Sequence, residues 1–224
     1  MLGGSKAISY TQMLQMAVVL VGMVFVGFYA VSSLPDGIGV KESLQIAGKM
    51  GKVNLIDWKF DLNNRYTIWS GIIGGFFLQL SYFGTDQSQV GRYLSGVSAS
   101  EIKKGLLMNG FLKIPMQFFI LLVGILVFTF YQFNTPPTFF NKNTDAIFST
   151  IPGHQAIDQE KGAVFEAKKS AILQQDFDRL DGLNKQATKN QEKAVALLKT
   201  AKPNTDAQDT NYIFLRYIID HLPI

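Results

Sequence analysis

Lys113 stands out as the residue whose surroundings most suggest chemistry. It is the one charged residue between Gly105 and Asn141, in a stretch that is otherwise strongly apolar. If this stretch is a membrane helix, its ammonium group has two interpretations. Either the side chain extends to the nearer membrane surface, or it faces a cavity and pairs with a substrate or a carboxylate. The residues alone leave both open.

Gly84 gives a second signal, because it interrupts an uncharged run just before Thr85, Asp86 and Gln87. Irregular backbone at membrane depth is tolerated only where it is buried in protein or lines a wet cavity. In transporters, a glycine-interrupted apolar segment points to a substrate site, although the signal is weak by itself. Any such chemistry requires membrane helices that position these residues.

The composition removes several other classes of function. The chain has no Cys, which excludes disulfides, thiolate metal sites and a cysteine nucleophile, and its two histidines are far apart. It contains no phosphate-binding or nucleophile-elbow motif. The net charge of +4 comes without the basic stripe that nucleic-acid binding needs. We therefore expect neither an enzyme nor a nucleic-acid partner, and no cofactor.

Three apolar runs predict an all-α integral membrane protein. No charged residue occurs from Ala7 to Pro35 or from Tyr66 to Thr85, and Lys113 is alone in the third run. About 20 helical residues cross the hydrocarbon core, so we predict transmembrane helices at about 9–34, 66–88 and 102–133. Gly71, Gly74 and Gly75 of the second run favour close packing against another helix. Residues 1–133 thus form the membrane region.

The remaining residues have a different character. Residues 134–208, called the helical insert below, are rich in Lys, Gln, Asp and Asn, and their apolar residues recur at helical spacing. Gly182 and Asn184 predict a break between two helices outside the membrane. Residues 209–224 are apolar with a few charges, which is too short and too charged for a span. They are expected to form a helix at the membrane interface.

The stretch from Ser81 to Ser95, SYFGTDQSQVGRYLS, resembles the signature of the sodium:solute symporter family, whose sodium/glucose cotransporter-like members carry a similar aromatic, Gly, Asp and Gln pattern. The GGSKA segment at 3–7 and the YTQMLQ segment at 10–15 are similar to that family's approach to the last helix of its first repeat. Gly110 to Lys113 with Pro115 is similar to the helix after the signature. The helical insert is not typical of the family.

This resemblance implies a LeuT-like inverted-repeat transporter of which the chain is a part. It would hold the last helix of repeat one and the first two helices of repeat two, and residues 209–224 would lead to a further span. The resemblance implies a multi-pass protein of the plasma membrane, the bacterial inner membrane being the expected one. The implied partners are a small solute, sodium as the coupling ion, the lipid bilayer and the remaining transporter helices.

The resemblance also implies roles for individual residues. Tyr82 corresponds to the aromatic residue that gates the substrate from the cytoplasmic side, and Gln79 corresponds to a polar substrate contact. Lys113 corresponds to a lysine that hydrogen-bonds a sugar hydroxyl. Gln12 stands where members with a second sodium site have Asp, which removes a charged ligand from that site. The principal sodium site uses helices outside this chain.

The expected orientation conflicts with the distribution of basic residues. The resemblance places loop 86–104 in the cytoplasm and both loop 35–65 and the helical insert outside. The positive-inside rule favours the reverse, because loop 35–65 carries Lys41, Lys49, Lys52, Lys59 and Arg65. We follow the resemblance, since preceding helices largely set topology.

Two functions are consistent with the residues. The first is sodium-coupled import of a small polar solute, a sugar or an organic acid, by alternating access. The alternative is a membrane protein without transport activity, in which three helices anchor the helical insert as a partner-binding module.

Overall fold

The computed structural model describes residues 4–53, 67–87, 90–91 and 98–222. Within those ranges the secondary structure is helical, without strands, as predicted. The helices are α1 (Gly4–Ser32), α2 (Val40–Lys49), α3 (Ile68–Gly84), α4 (Ala99–Phe133), α5 (Lys142–Phe148), α6 (His154–Leu173), α7 (Phe177–Ala201), a 3-10 turn at Thr210–Tyr212, and α8 (Ile213–His221). The chain divides into two compact units. The first is Met1–Gly22 with Asn54–Leu121, and the second is Met23–Val53 with Leu122–Ile224.

Two helices of the described residues are long and apolar enough to cross a membrane, Ala7–Ser32 and Ala99–Phe133. They contain most of the predicted spans at 9–34 and 102–133. Helix α1 ends before Pro35, which disfavours helical backbone in the residue that precedes it. The predicted span at 66–88 corresponds to α3, whose 17 residues rise about 25 Å, less than the ~30 Å of a hydrocarbon core. The three-span count stays a prediction.

Helix α3 begins and ends at clear local signals. The Thr67 hydroxyl accepts a hydrogen bond from Ser70 N at 3.3 Å, and Thr67 N donates to the Ser70 hydroxyl at 3.1 Å. This reciprocal cap satisfies two backbone donors at the start of the helix. The helix ends at Gly84, where the sequence predicted an interruption. Space is open around the positions where Gly71, Gly74 and Gly75 would carry a Cβ. The predicted packing partner is therefore not among the described residues.

In the second unit, α6 and α7 pack along each other as a helical hairpin. Two hydrophobic clusters hold it. One joins α2, the end of α4, α6 and α7, through Ile46, Phe133, Ala171, Ile172, Leu180 and Leu183. The other joins the end of α7 to α5 and its flanking loops, through Phe139, Phe148, Ile151, Ala194 and Leu198. The helical insert thus has one apolar core of its own and shares a second with α2 and the end of α4.

The predicted break at Gly182 and Asn184 is wrong, because both residues lie inside α7. The chain reverses earlier, after Leu173. Gln175 adopts a left-handed backbone with φ 58°, and the Asp176 side chain then accepts a hydrogen bond from Arg179 N at 3.3 Å. An Asp before an apolar residue is a common helix start. Here that cap determines the break, whereas a glycine inside a well-packed helix is tolerated at modest cost.

Helix α8 lies against the end of α4. Tyr217 is fully buried, and its ring centroid is 4.9 Å from that of Phe130 in an edge-to-face arrangement. Burial raises the pKa of the Tyr217 phenol well above its usual value. The predicted interfacial position of residues 209–224 stays a prediction.

Candidate functional site

Tyr82 and Lys113, which the sequence placed among the substrate contacts, meet in the first unit. The Lys113 Nζ lies over the Tyr82 ring, 6.0 Å from its centroid. Tyr82 is in the last turn of α3 and Lys113 is in the first half of α4. A lysine ammonium at this distance is attracted to the negative face of an aromatic ring. The pair combines a cation with three hydrogen-bond donors and a flat apolar surface.

Gln79 lies one turn before Tyr82 in α3, and the two share a helix face because residues three apart are neighbours on an α-helix. Its side chain is exposed. The arrangement therefore brings two of the three predicted residues together and leaves the third on the same side of α3.

The backbone after Tyr82 leaves the helix beside this pair. Thr85 N and Asp86 N both donate to the Ser81 carbonyl oxygen, at 2.9 and 3.0 Å, which closes the end of α3. Asp86 thus contributes to the helix end through its backbone. Residues 88–89 and 92–95 of the stretch that resembles the family signature lie outside the described residues.

Gln12, which the resemblance aligns with a sodium ligand of other members, is an exposed residue of α1. Its neighbour Thr11 donates its hydroxyl to the Ala7 carbonyl oxygen at 2.9 Å. Across ranges 4–53, 67–87, 90–91 and 98–222, no three acidic or histidine side chains form a group that could hold a metal ion.

Sequence reasoning missed a charged network in the second unit. Arg216 of α8 pairs with Asp145 of α5 at 3.5 Å and with Asp220 one turn on, and Lys142 pairs with Asp220 at 2.7 Å. Burial alone would raise the pKa of Asp220, but hydrogen bonds from Lys142 and Arg216 hold it below its usual value. The i, i+4 spacing of Arg216 and Asp220 was a signal for one of these pairs. Nothing local predicted the pairing with Asp145.

The second unit also encloses a cavity of about 1210 Å³ between the end of α4, the Pro136–Pro137 loop, α6 and α8. Lys161 lines this cavity. The Lys161 Nζ donates a hydrogen bond to Gln191 Oε1 at 2.9 Å and another to the Thr138 carbonyl oxygen at 3.5 Å. Burial lowers the pKa of Lys161. This lysine joins α6, α7 and the loop.

The sequence is similar to several sodium-coupled transporters. It is 32% identical to the human sodium/iodide cotransporter over 133 residues, which are 58% of this chain and 20% of that protein. It is 33% identical to the sodium-dependent multivitamin transporter of Oryctolagus cuniculus over 135 residues, with the same shares. It is 37% identical to human sodium-coupled monocarboxylate transporter 1 over 110 residues, 48% of this chain and 17% of that protein.

The chain spans about a fifth of the length of the curated relatives it matches. No protein-family model matches the sequence, and no solved structure does so significantly. The relatives are transporters rather than enzymes, and their sodium coupling agrees with the signature around Tyr82. The predicted relationship is confirmed: along this partial region, the chain is a relative of the sodium:solute symporter family.

Proposed function

We propose that this chain is part of a sodium-coupled symporter that imports a small polar solute by alternating access. The observation that carries the proposal is the position of the Lys113 ammonium over the Tyr82 ring, 6.0 Å from its centroid. Both residues come from the region that is similar to the transporters. In the proposed site, Tyr82 covers one face of the solute, Lys113 donates hydrogen bonds to it, and Gln79 supplies a further polar contact.

An organic acid fits this site better than a sugar. Two of the relatives are named for iodide and for monocarboxylates, which are anions. A lysine ammonium attracts a carboxylate as a point charge in addition to donating hydrogen bonds to it. We therefore favour a small carboxylate as the solute, with a sugar as the second choice.

Sodium supplies the driving force in this proposal. The names of the relatives describe a sodium/iodide cotransporter, a sodium-dependent transporter and a sodium-coupled transporter. We place the principal sodium site on helices outside this chain. Gln12 would offer an amide oxygen but no negative charge to a second ion. We therefore expect coupling to a single sodium ion.

The proposed protein is a multi-pass protein of the plasma membrane, the bacterial inner membrane being the expected one. We assign α3 as the third span of a LeuT-like arrangement, in addition to α1 and α4. The helical insert would lie on the extracytoplasmic side, and α8 at the interface, leading to a further span. The bounds of α1 and α4 are consistent with this arrangement.

Uptake by the full-length protein that contains this chain tests the proposal. Sodium-dependent uptake of a radiolabelled monocarboxylate would be compared for wild type, Lys113→Ala and Lys113→Arg in intact cells or in proteoliposomes. We expect Lys113→Ala to lower uptake about tenfold or more, because a charge-assisted hydrogen bond contributes about 1.5–3 kcal/mol. The control is Lys104→Ala, an exposed lysine of the same helix. Unchanged uptake by Lys113→Ala at equal membrane abundance would remove Lys113 from the site.

The alternative, a membrane anchor for a partner-binding module, is favoured by one observation. The helical insert has two apolar clusters and so forms a packed body on the membrane helices. The genomic sequence on both sides of this reading frame discriminates between the two functions. Continuation into further apolar spans supports the symporter, whereas stop codons at both ends and stable expression of this chain alone support the anchor.

A further inference from the structure

One end of the cavity in the second unit forms an apolar groove beside two lysines. Its floor is α4, and its wall is α6. We call it the lysine groove, and it is lined by Gly124, Val127, Phe128, Val164, Phe165 and Lys168. Lys52 adjoins it, because the Lys52 Nζ lies 5.7 Å from the centroid of the Phe128 ring. The groove is thus apolar along its length and cationic at one edge.

Among the described residues, no acidic side chain pairs with either of the two lysines at this edge. In the part of the chain that the structure describes, the side-chain ammonium groups of Lys52 and Lys168 form no ion pair or hydrogen bond with another residue. Burial lowers the pKa of Lys168, and the positive charge of Lys52 lowers that pKa further, so the two ammonium groups repel each other. A bound anion would relieve both effects.

The other charged side chains around the cavity are already paired. Asp145 accepts from Phe139 N at 3.1 Å, and Asp158 accepts from the Thr138 hydroxyl at 2.7 Å. Asp209 accepts a hydrogen bond from Phe140 N. Lys161 and Lys142 have the partners given above. Lys168 is therefore the cavity lysine available to an external anion.

The position of the groove along α4 indicates which class of anion would bind there. Leu121 is 39% exposed and Val123 is 1% exposed, so α4 changes from an exposed apolar helix to a covered one at the groove. The exposed part of α4 belongs to a membrane-capable helix. The groove therefore lies where the exposed apolar surface of α4 ends, and if α4 spans a membrane we expect phospholipid headgroups near this level.

We propose that the lysine groove binds an anionic phospholipid. The phosphate would lie between Lys52 and Lys168, and an acyl chain would follow the apolar side chains of α4 beside Gly124. A Cβ at Gly124 would meet no atom within 4 Å, so space for the chain is open there. The proposal does not depend on transport. It also gives a role to a lysine in loop 35–65, whose basic residues conflict with the expected topology.

Lipid binding by the purified chain in detergent tests the proposal. Retained lipids are counted by native mass spectrometry while delipidated protein is titrated with phosphatidylglycerol or phosphatidylcholine. We expect phosphatidylglycerol to bind at least tenfold more tightly. The double variant Lys52→Gln with Lys168→Gln should weaken that binding at least tenfold, since each lysine near a membrane surface contributes several-fold. The control is Lys185→Gln with Lys189→Gln, an equal charge change at exposed positions of α7.

A second variant tests the apolar part of the groove. Gly124→Leu should fill the space beside α4 and weaken phosphatidylglycerol binding at least fivefold. Gly105→Leu, at an equally open position nearer the start of α4, should leave binding unchanged. Glycerol 3-phosphate distinguishes a lipid from a free phosphate, and we expect it to bind at least tenfold more weakly than the lipid. Equal binding of the two phospholipids, equally tight binding of glycerol 3-phosphate, or full binding by the double lysine variant would each overturn the proposal.

Discussion

Arg216 of α8 donates a hydrogen bond from Nη2 to Asp145 Oδ2 of α5, over 3.5 Å. The other oxygen of the same carboxylate accepts from Phe139 N at 3.1 Å, at the start of the helical insert. A single carboxylate thus joins the loop before α5 to the helix that follows the insert. This pairing connects the two ends of the insert.

Replacing this carboxylate tests its contribution to stability. We expect Asp145→Asn to lower the free energy of unfolding of the second unit by about 1.5–3 kcal/mol, because hydrogen bonds to charged groups contribute about that much. Hydrogen exchange of peptides from α5 and α8, measured on the chain in detergent, reports the change. The control is Asp181→Asn, an exposed residue of α7. Equal protection of these peptides in the two variants would contradict the role of Asp145.

The lowered pKa of the Asp220 carboxyl predicts that the stability of the second unit depends on pH. Lys142 and Arg216 hold the pKa of its carboxyl below the usual 3.8, although burial acts in the opposite direction. A carboxyl whose pKa is lower in the folded state contributes stability that is complete above its usual pKa and is lost as the pH falls through the lowered value. Asp220→Asn should therefore be less stable than wild type near neutral pH.

The same variant should lose less stability than wild type on further acidification below about pH 4. Thermal midpoints of wild type and Asp220→Asn, measured from about pH 6 down to about pH 3, check this difference. A midpoint that falls equally steeply in the variant would show that other carboxyls control the acid response.

Replacing Leu198 tests the packing of the apolar core of the insert. Its side chain is fully buried in the cluster with Phe139, Phe148 and Ala194. Leu198→Ala should cost about 2–5 kcal/mol, because it removes buried methyl groups and leaves a cavity. Leu173→Ala is the matched control, since Leu173 is 55% exposed. Chemical unfolding followed by far-ultraviolet circular dichroism measures both variants, and equal costs would contradict the packing described for Leu198.

The reversal between α6 and α7 offers a stabilising substitution. Gln175 has a positive φ of 58°, which costs a residue with a Cβ about 1–2 kcal/mol and costs glycine little. Gln175→Gly should therefore raise the free energy of unfolding by about 0.5–1 kcal/mol. Gln174→Gly should lower it, because Gln174 has right-handed helical backbone. The opposite order of the two thermal midpoints would refute the left-handed turn.

The sequence by itself determined the helical class, the long apolar runs of α1 and α4, the end of α3 at Gly84 and the relationship to sodium-coupled transporters. These properties depend on composition, on hydrophobic period and on short motifs, all of which are local along the chain. Local pattern was less reliable at the break in the insert. There the pattern predicted a break between helices at Gly182. In the structure the break comes earlier, just after Leu173, at the left-handed Gln175 and the Asp176 cap.

Only the tertiary structure decided which distant residues meet. It brought Lys113 over the ring of Tyr82, paired Arg216 with Asp145, and placed Lys52 beside the Phe128 ring at the edge of the groove that Lys168 lines. Each of these contacts joins residues of different elements, and the distance between such residues depends on how the helices pack. Residue types indicate what a side chain can do, but packing decides which partner it reaches.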